Sequence, residues 1–302
     1  MSDLNKKVDR AIMLLKVAEE AAMQKSIERE REREREREVI NELRDFDLNG
    51  TVEISYSTGK DSDVILRLAQ MAGIKHIPIY KMTGLDQGSE KHAKEKGAVI
   101  LKPKKNFFDL IELGGFPTRR ARFCCQYLKE YKVLDVAVQG IRTSESTARA
   151  ERYKEPEICR LYNKKERVQV FLPILDWTDS DVAEFIQQEK IQCHPHYYDE
   201  EGVFHVERRV GCVCCCMKSQ RKLIKDFTDH PKMVKAYIKH GKVWWESHPN
   251  AKSHEKFPCI YDLFFHNVFC DSYQDYIQKT SGLFGRLDTK QWLEDYFHIE
   301  LP

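Results

Sequence analysis

Six residues, Ser57-Thr58-Gly59-Lys60-Asp61-Ser62, join a strand-like run, Val52–Ser57, to a helical pattern, Asp61–Ala72. A strand that turns directly into a helix aims free backbone N–H groups and the positive end of the helix dipole at one point, where an anion binds. Gly59 allows close backbone approach to an oxyanion. Ser57, Thr58 and Ser62 add hydroxyl donors, Lys60 adds a cation, and Asp61 adds a carboxylate able to reach Mg2+. The Walker spacing G-x-x-x-x-G-K-[ST] is absent. The alternative is an ordinary polar turn. In either case the loop is expected at the surface.

The flanking pattern extends this unit. Val52–Ser57, His76–Tyr80, Ala98–Leu101, Val133–Gln139 and Val168–Ile174 read as strands. Asp61–Ala72, Ser89–Lys96, Phe107–Leu113 and Arg120–Tyr131 read as helices between them. Such alternation predicts an α/β fold with a doubly wound parallel sheet over residues 49–218. Thr178–Asp181 resembles a capping box opening a helix that runs to about Gln188. Residues 1–48 read as a helical arm, with Leu4, Val8, Ile12, Leu15, Ala18 and Ala22 in one stripe. Its Glu28–Glu38 stretch alternates Glu and Arg, and opposed i,i+3 and i,i+4 charge pairs roughly cancel there. A solvated connector or a partner-binding arm, through which copies could associate, is the choice. Residues 219–302 lack the alternation and read as a C-terminal helical region.

The chain has 302 residues with 50 Lys and Arg against 48 Asp and Glu, so no global field advertises a polyanionic partner. It contains no apolar run of about 18 residues and no secretory pattern at its start, so no membrane partner and a cytoplasmic location are expected. Its ten cysteines are poorly spaced for disulfides, because Cys124 and Cys125 are adjacent and Cys212, Cys214, Cys215 and Cys216 crowd together. Thiols so grouped suit a metal, either structural zinc or iron–sulfur. Lys102–Lys132 carries eight basic against three acidic residues, and His205–Lys225 six against one. If the cysteines converge, those charges form an electropositive rim. His194, His196, His205 and Cys193 match no ligand spacing and are given a structural role.

The loop resembles the S-x-G-x-D-S loop of the PP-loop ATP pyrophosphatase superfamily. Asn106–Lys129, Gly140-Ile-Arg142-Thr-Ser-Glu145-Ser146-Thr-Ala-Arg149, Pro173–Val182, His194–Tyr197 and Val210–Cys215 narrow the resemblance to the phosphoadenosine phosphosulfate reductase family. It spans roughly residues 50–220. The resemblance implies an adenine nucleotide alpha-hydrolase-like fold that binds ATP with Mg2+ through Ser57, Thr58, Gly59, Lys60, Asp61, Ser62, Gly140 and Arg142. Lys60, Asp61, Arg142 and Arg149 would be catalytic. Guanidinium forks after a strand end suit phosphate or sulfate oxygens, with Glu145 placed to orient one.

Cys124-Cys125 with Cys212-x-x-Cys215 is similar to the pattern of the iron–sulfur branch of sulfonucleotide reductases, which implies a 4Fe-4S cluster on Cys124, Cys125, Cys212 and Cys215. Cys214 or Cys216 could replace Cys215. Reductases of that kind deliver a thiol from a C-terminal Glu-Cys-Gly-(Leu/Ile)-His segment, whereas this chain ends FHIELP. The expectation is therefore an ATP alpha-pyrophosphatase, similar to DNA phosphorothioation ATP pyrophosphatases, activating an acceptor for sulfur transfer or nucleic-acid modification. Its partners would be a nucleotide and a nucleic acid or sulfur carrier. The alternatives are a sulfonucleotide reductase using Cys259 or Cys270, and a non-catalytic nucleotide- and cluster-binding regulator.

Overall fold

A computed structural model of the chain describes residues 3–31, 40–86, 88–162, 166–282 and 285–302. Most of the Glu28–Glu38 charge run lies outside them. In chain order the elements begin α1 (Asp3–Arg31), β1 (Val52–Ser55), α2 (Lys60–Ala72), β2 (His76–Lys81), α3 (Ser89–Glu95), β3 (Val99–Leu101), α4 (Phe107–Gly114) and α5 (Phe123–Leu128). There follow β4 (Val136–Val138), α6 (Thr147–Arg152), β5 (Glu157–Tyr162), β6 (Glu166–Phe171) and α7 (Asp179–Gln188). The chain then continues through α8 (Gln220–Asp229), α9 (Pro231–Ser247), α10 (Ile260–Phe269), α11 (Tyr273–Thr280) and α12 (Thr289–Phe297).

The described residues form two compact units whose limits differ from the sequence boundaries of 1–48, 49–218 and 219–302. The first unit comprises 1–82, 86–102 and 130–211; the second comprises 83–85, 103–129 and 212–302. The difference follows from where the apolar faces go, since α1 is buried with the sheet and Pro103–Lys129 packs with the C-terminal helices.

In the first unit the strand order is β3-β2-β1-β4-β6-β5. All neighbours pair in parallel except β5 with β6. This is the doubly wound sheet expected. Its order reverses between β1 and β4, where Ile54 is in register with Val138, and ligands of open α/β sheets bind outside the strand ends at such a reversal. The topology thus sets Ser57–Ser62 beside the chain leaving β4. Val52, Ile54, Val64, Leu68, Val138, Phe171 and Trp177 fill the core with no exposed surface. The antiparallel edge strand β5 was not legible. Its sequence EICRLY mixes polar and apolar residues because an edge strand buries little on either side. Helix α5 is also shorter than the Arg120–Tyr131 pattern suggested.

Helix α1 is part of this core, and the stripe read in the helical arm is the face it buries. Leu4, Ala11, Leu15, Ala18 and Ala22 are buried in the same cluster as Ile54 and Leu68. Lys7 Nζ reaches Asp181 Oδ2 at 2.7 Å. Asp181 also completes the α7 capping box with Thr178. Burial opposes ionisation of Asp181, but the Lys7 and Thr178 hydrogen bonds outweigh it and hold its pKa low. Asp181→Ala is expected to cost about 1–3 kcal/mol, read as a fall in melting temperature, from a lost cap and a stranded ammonium. That difference should be present above the ordinary carboxylate value of 3.8 and fade as the pH falls below it.

The second unit is helical. Phe107, Ile111, Phe227, Val234, Ile238, Phe264, Tyr276 and Leu293 make its core. Asn106 and Asp109 cap α4 reciprocally. A Cβ on Gly241 of α9 would lie 2.5 Å from the Phe116 ring, so only glycine allows that packing. Two-residue strands at Ser281–Gly282 and Gly285–Arg286 pair antiparallel. Among the described residues no helix is long and apolar enough to cross a membrane.

Candidate functional site: a phosphate loop and a thiol pocket

The loop after β1 is at the surface only in part: Ser57 is exposed and Gly59 and Asp61 are half-buried, whereas Thr58 is 0% exposed and Lys60 and Ser62 are each 3% exposed. Its neighbours explain this. Thr58 is a β-branched residue in the left-handed region at φ 63°, a conformation costing about 1–3 kcal/mol. Its hydroxyl donates to Ser57 O at 2.6 Å and is 2.9 Å from Ser89 Oγ, at the start of α3. Tyr197 Oη accepts the Lys60 N–H at 3.1 Å, and the Lys60 ammonium lies 5.7 Å from that ring's centroid. Ser62 Oγ donates to Gly59 O at 2.7 Å. The N–H groups of Thr58, Gly59 and Asp61 make no hydrogen bond to the described residues, leaving three donors at the α2 N-terminus.

Asp61 is fixed between two cations. Its Oδ1 accepts from Arg142 Nε at 2.7 Å, and its Oδ2 lies 3.3 Å from Lys60 Nζ. Arg142 is 1% exposed and reaches Asp179 Oδ1 at 2.7 Å and Ser144 Oγ at 3.0 Å. Its fork is thus committed to carboxylates, and Arg142 shapes the loop more than it presents a free guanidinium. A Cβ on Gly140 would lie 3.0 Å from the Asp61 backbone, so this glycine permits the close approach of the β4 exit to the loop.

Arg149 is the more open guanidinium, with 39% of its side chain exposed and Glu145 as its ion-pair partner. Arg209 Nη2 is 3.6 Å from the same carboxylate group. Burial, then the neighbouring Arg209, lowers the Arg149 pKa; Asp61 acts in the opposite sense. Behind the loop, Asp63 is 2% exposed and accepts from Tyr56 Oη, with His92 Nε2 at 3.3 Å. Cys193 belongs to this interior, where burial and then Asp63 push its thiol up. The spacing of Cys193 and His194 gave no hint of that cluster, because its members come from the residue after β1, from α2, from α3 and from a distant loop.

In the second unit Cys124, Cys125, Cys212, Cys214, Cys215 and Cys216 line one cavity of about 30 Å³. The thiols meet in pairs. A hydrogen bond from Cys124 draws Cys125 down to about 7, and one from Cys216 draws Cys215 down to about 6; each donor is pushed up in return. Cys125 also feels Cys215, and Cys124 feels Cys216. Cys212 Sγ is 3.6 Å from Thr83 Oγ1. Cys214 is 3% exposed, sits at φ 56°, and has its backbone N–H held by Asp226 at 2.7 Å. Spacing had left Cys214 and Cys216 equal; the structure puts Cys216 among the paired thiols. Among the described residues no three Cys, His, Asp or Glu groups stand in the geometry of a metal site. The all-thiol donor set nevertheless has the chemistry of a soft metal or iron–sulfur site, and a cluster would need the sulfurs to spread.

Cys259 and Cys270 are half-buried. Burial, then hydrogen bonding to the Asp262 carboxylate 3.0 Å away, raises Cys259; burial takes Cys270 to about 11. Neither is poised as a thiolate.

The profile of the phosphoadenosine phosphosulfate reductase domain matches residues 51–218. An uncharacterised 37.8 kDa protein of Escherichia phage 186 is 32% identical over 164 residues, 49% of this chain and 46% of that one. Sulfate adenylyltransferase subunit 2 of Shewanella pealeana is 28% identical over 184 residues, 48% of this chain and 60% of that one. The chain therefore spans about half the length of the curated relatives it matches. A solved phosphoadenylyl-sulfate reductase from Candida auris is 13% identical, covers 47% of this chain and 75% of that one, and gives a TM-score of 0.35, too distant to bear on mechanism. With more than half of its residues matched by the profile, the chain belongs to the phosphoadenosine phosphosulfate reductase domain family of the PP-loop superfamily.

Proposed function

We propose that this protein is an ATP alpha-pyrophosphatase, releasing AMP and pyrophosphate as it activates an acceptor for sulfur transfer or nucleic-acid modification. The observation that carries the reading is the Ser57–Ser62 loop, with three open N–H donors at a helix N-terminus and Asp61 pinned by Arg142. The donors and Lys60 take the β- and γ-phosphate charge, which leaves as pyrophosphate when the α–β bond breaks. Arg149, half-exposed and ion-paired with Glu145, would meet the α-phosphate charge that develops. Asp61 would hold Mg2+, which supplies charge neutralisation on the phosphates. Cys124, Cys125, Cys212 and either Cys215 or Cys216 would hold a 4Fe-4S cluster, or zinc in its place, supplying a soft metal centre for sulfur.

The test is anaerobic incubation with magnesium-ATP, and separately with adenosine phosphosulfate and its 3′-phosphate, with AMP, pyrophosphate and sulfite quantified. AMP and pyrophosphate in equal amounts are expected from ATP. ADP with orthophosphate would overturn the assignment. Sulfite would instead establish a reductase, against the unreactive settings of Cys259 and Cys270. No turnover with any acceptor would favour a regulator.

A further inference from the structure

The second unit carries 19 Lys and Arg against 13 Asp and Glu, although the whole chain is nearly balanced at 50 against 48. The excess is organised. Lys225 pairs with Asp229 on α8, Lys279 with Asp275 on α11, and Lys290 with Glu294 on α12. Helix α9 differs. Its Lys232, Lys235 and Lys239 are exposed, stand three and four residues apart on one face, and have no ion-pair partner among the described residues. Lys242 continues the row, its ammonium 5.9 Å from the Tyr261 ring centroid. Lys232, Lys235 and Lys239 border an open depression of about 530 Å³, where Glu300 is the one acidic side chain among the described residues.

We propose that this lysine row is a binding track for the phosphate backbone of a nucleic acid strand. From Lys232 to Lys242 the helix rises about 15 Å, the length of roughly four to five nucleotides at 3.4 Å each. Ammonium groups repeated at that scale, with no Arg, Asn or Gln among the described residues lining the depression to read a base edge, contact phosphates and not bases. A lipid surface fits less well. The apolar face of α9, with Val234, Tyr237, Ile238 and Gly241, is already buried in the protein core, and Val243 alone is too little apolar surface to insert. The track would deliver the acceptor that the proposed activation needs, and its purpose rests on that reading; the binding itself does not.

Fluorescence anisotropy with a labelled mixed-sequence 20-nucleotide single strand, without ATP, tests it across a salt series. Binding is expected to be indifferent to sequence, and log Kd should rise with log salt at a slope near 2–3 for three to four neutralised phosphates. The triple change Lys232→Glu, Lys235→Glu, Lys239→Glu should weaken binding at least about 10-fold, whereas Lys225→Glu, at a lysine already paired with Asp229, should change it less than about 3-fold. ATP cleavage by the triple variant without nucleic acid should be unchanged, so loss of the function reading and loss of the track are separable. Equal binding by wild type and triple variant, a salt slope near zero, or binding only to phosphatidylserine vesicles would overturn the proposal.

Discussion

Asp61→Asn is expected to lower ATP cleavage at least about 100-fold, the scale seen when a preorganised electrostatic partner is removed. The amide keeps the shape of the carboxylate but loses its hold on Lys60 and Arg142 and its affinity for Mg2+. Folding should survive at a cost of about 1–3 kcal/mol, because Arg142, 1% exposed, still has Asp179. Initial rates of AMP release and thermal melts of the same samples separate the two effects. Asp179→Asn is the companion variant, since it removes the outer carboxylate and leaves the Asp61 contact at 2.7 Å intact. It should keep more than about a tenth of the activity. A wild-type rate from Asp61→Asn would remove the loop from the chemistry.

Protein purified without oxygen is expected to be brown, with about four irons and four sulfides per chain. Cys212→Ser should lose both colour and iron, because Cys212 lines the thiol cavity. Cys193→Ser should keep them, since Cys193 is packed beside Asp63 in the other unit. Cys215→Ser and Cys216→Ser decide between the two remaining ligands, as each thiol is coupled to one of the Cys124–Cys125 pair. Absorbance and elemental analysis give the result. One zinc per chain and no visible band would overturn the cluster.

Much of this was legible because local rules and global fold agree. The loop, the α2 helix, the Thr178 capping box and four parallel strands beside β1 or its neighbours announce themselves through turn chemistry and periodicity. The burial of Thr58 and Lys60 within the loop was not legible. It depends on Ser89 and Tyr197, which arrive from 31 and 137 residues away. Arg142 could be picked out as a cation near a strand end, but its commitment to Asp61 and Asp179 is a packing outcome. What α1 packs against was not legible for a related reason. A stripe of alanines and leucines shows that a helix wants a partner, and the identity of that partner lies in the sheet.

The second unit is assembled from three separated stretches of chain, with Pro103–Lys129 placed between β3 and β4 of the first. On the ribosome this imposes a delay. Cys125 emerges 87 residues before Cys212, which at about 5–20 residues per second is roughly 4–17 s. During that interval the first pair of thiols has neither its partners nor the core formed by α8 to α12. A nascent chain in that state exposes Phe107, Ile111 and Leu128 together with two adjacent thiols, a combination that chaperones and oxidants both find. Expression yield should therefore respond to translation speed and oxygen more than the finished protein's stability would suggest.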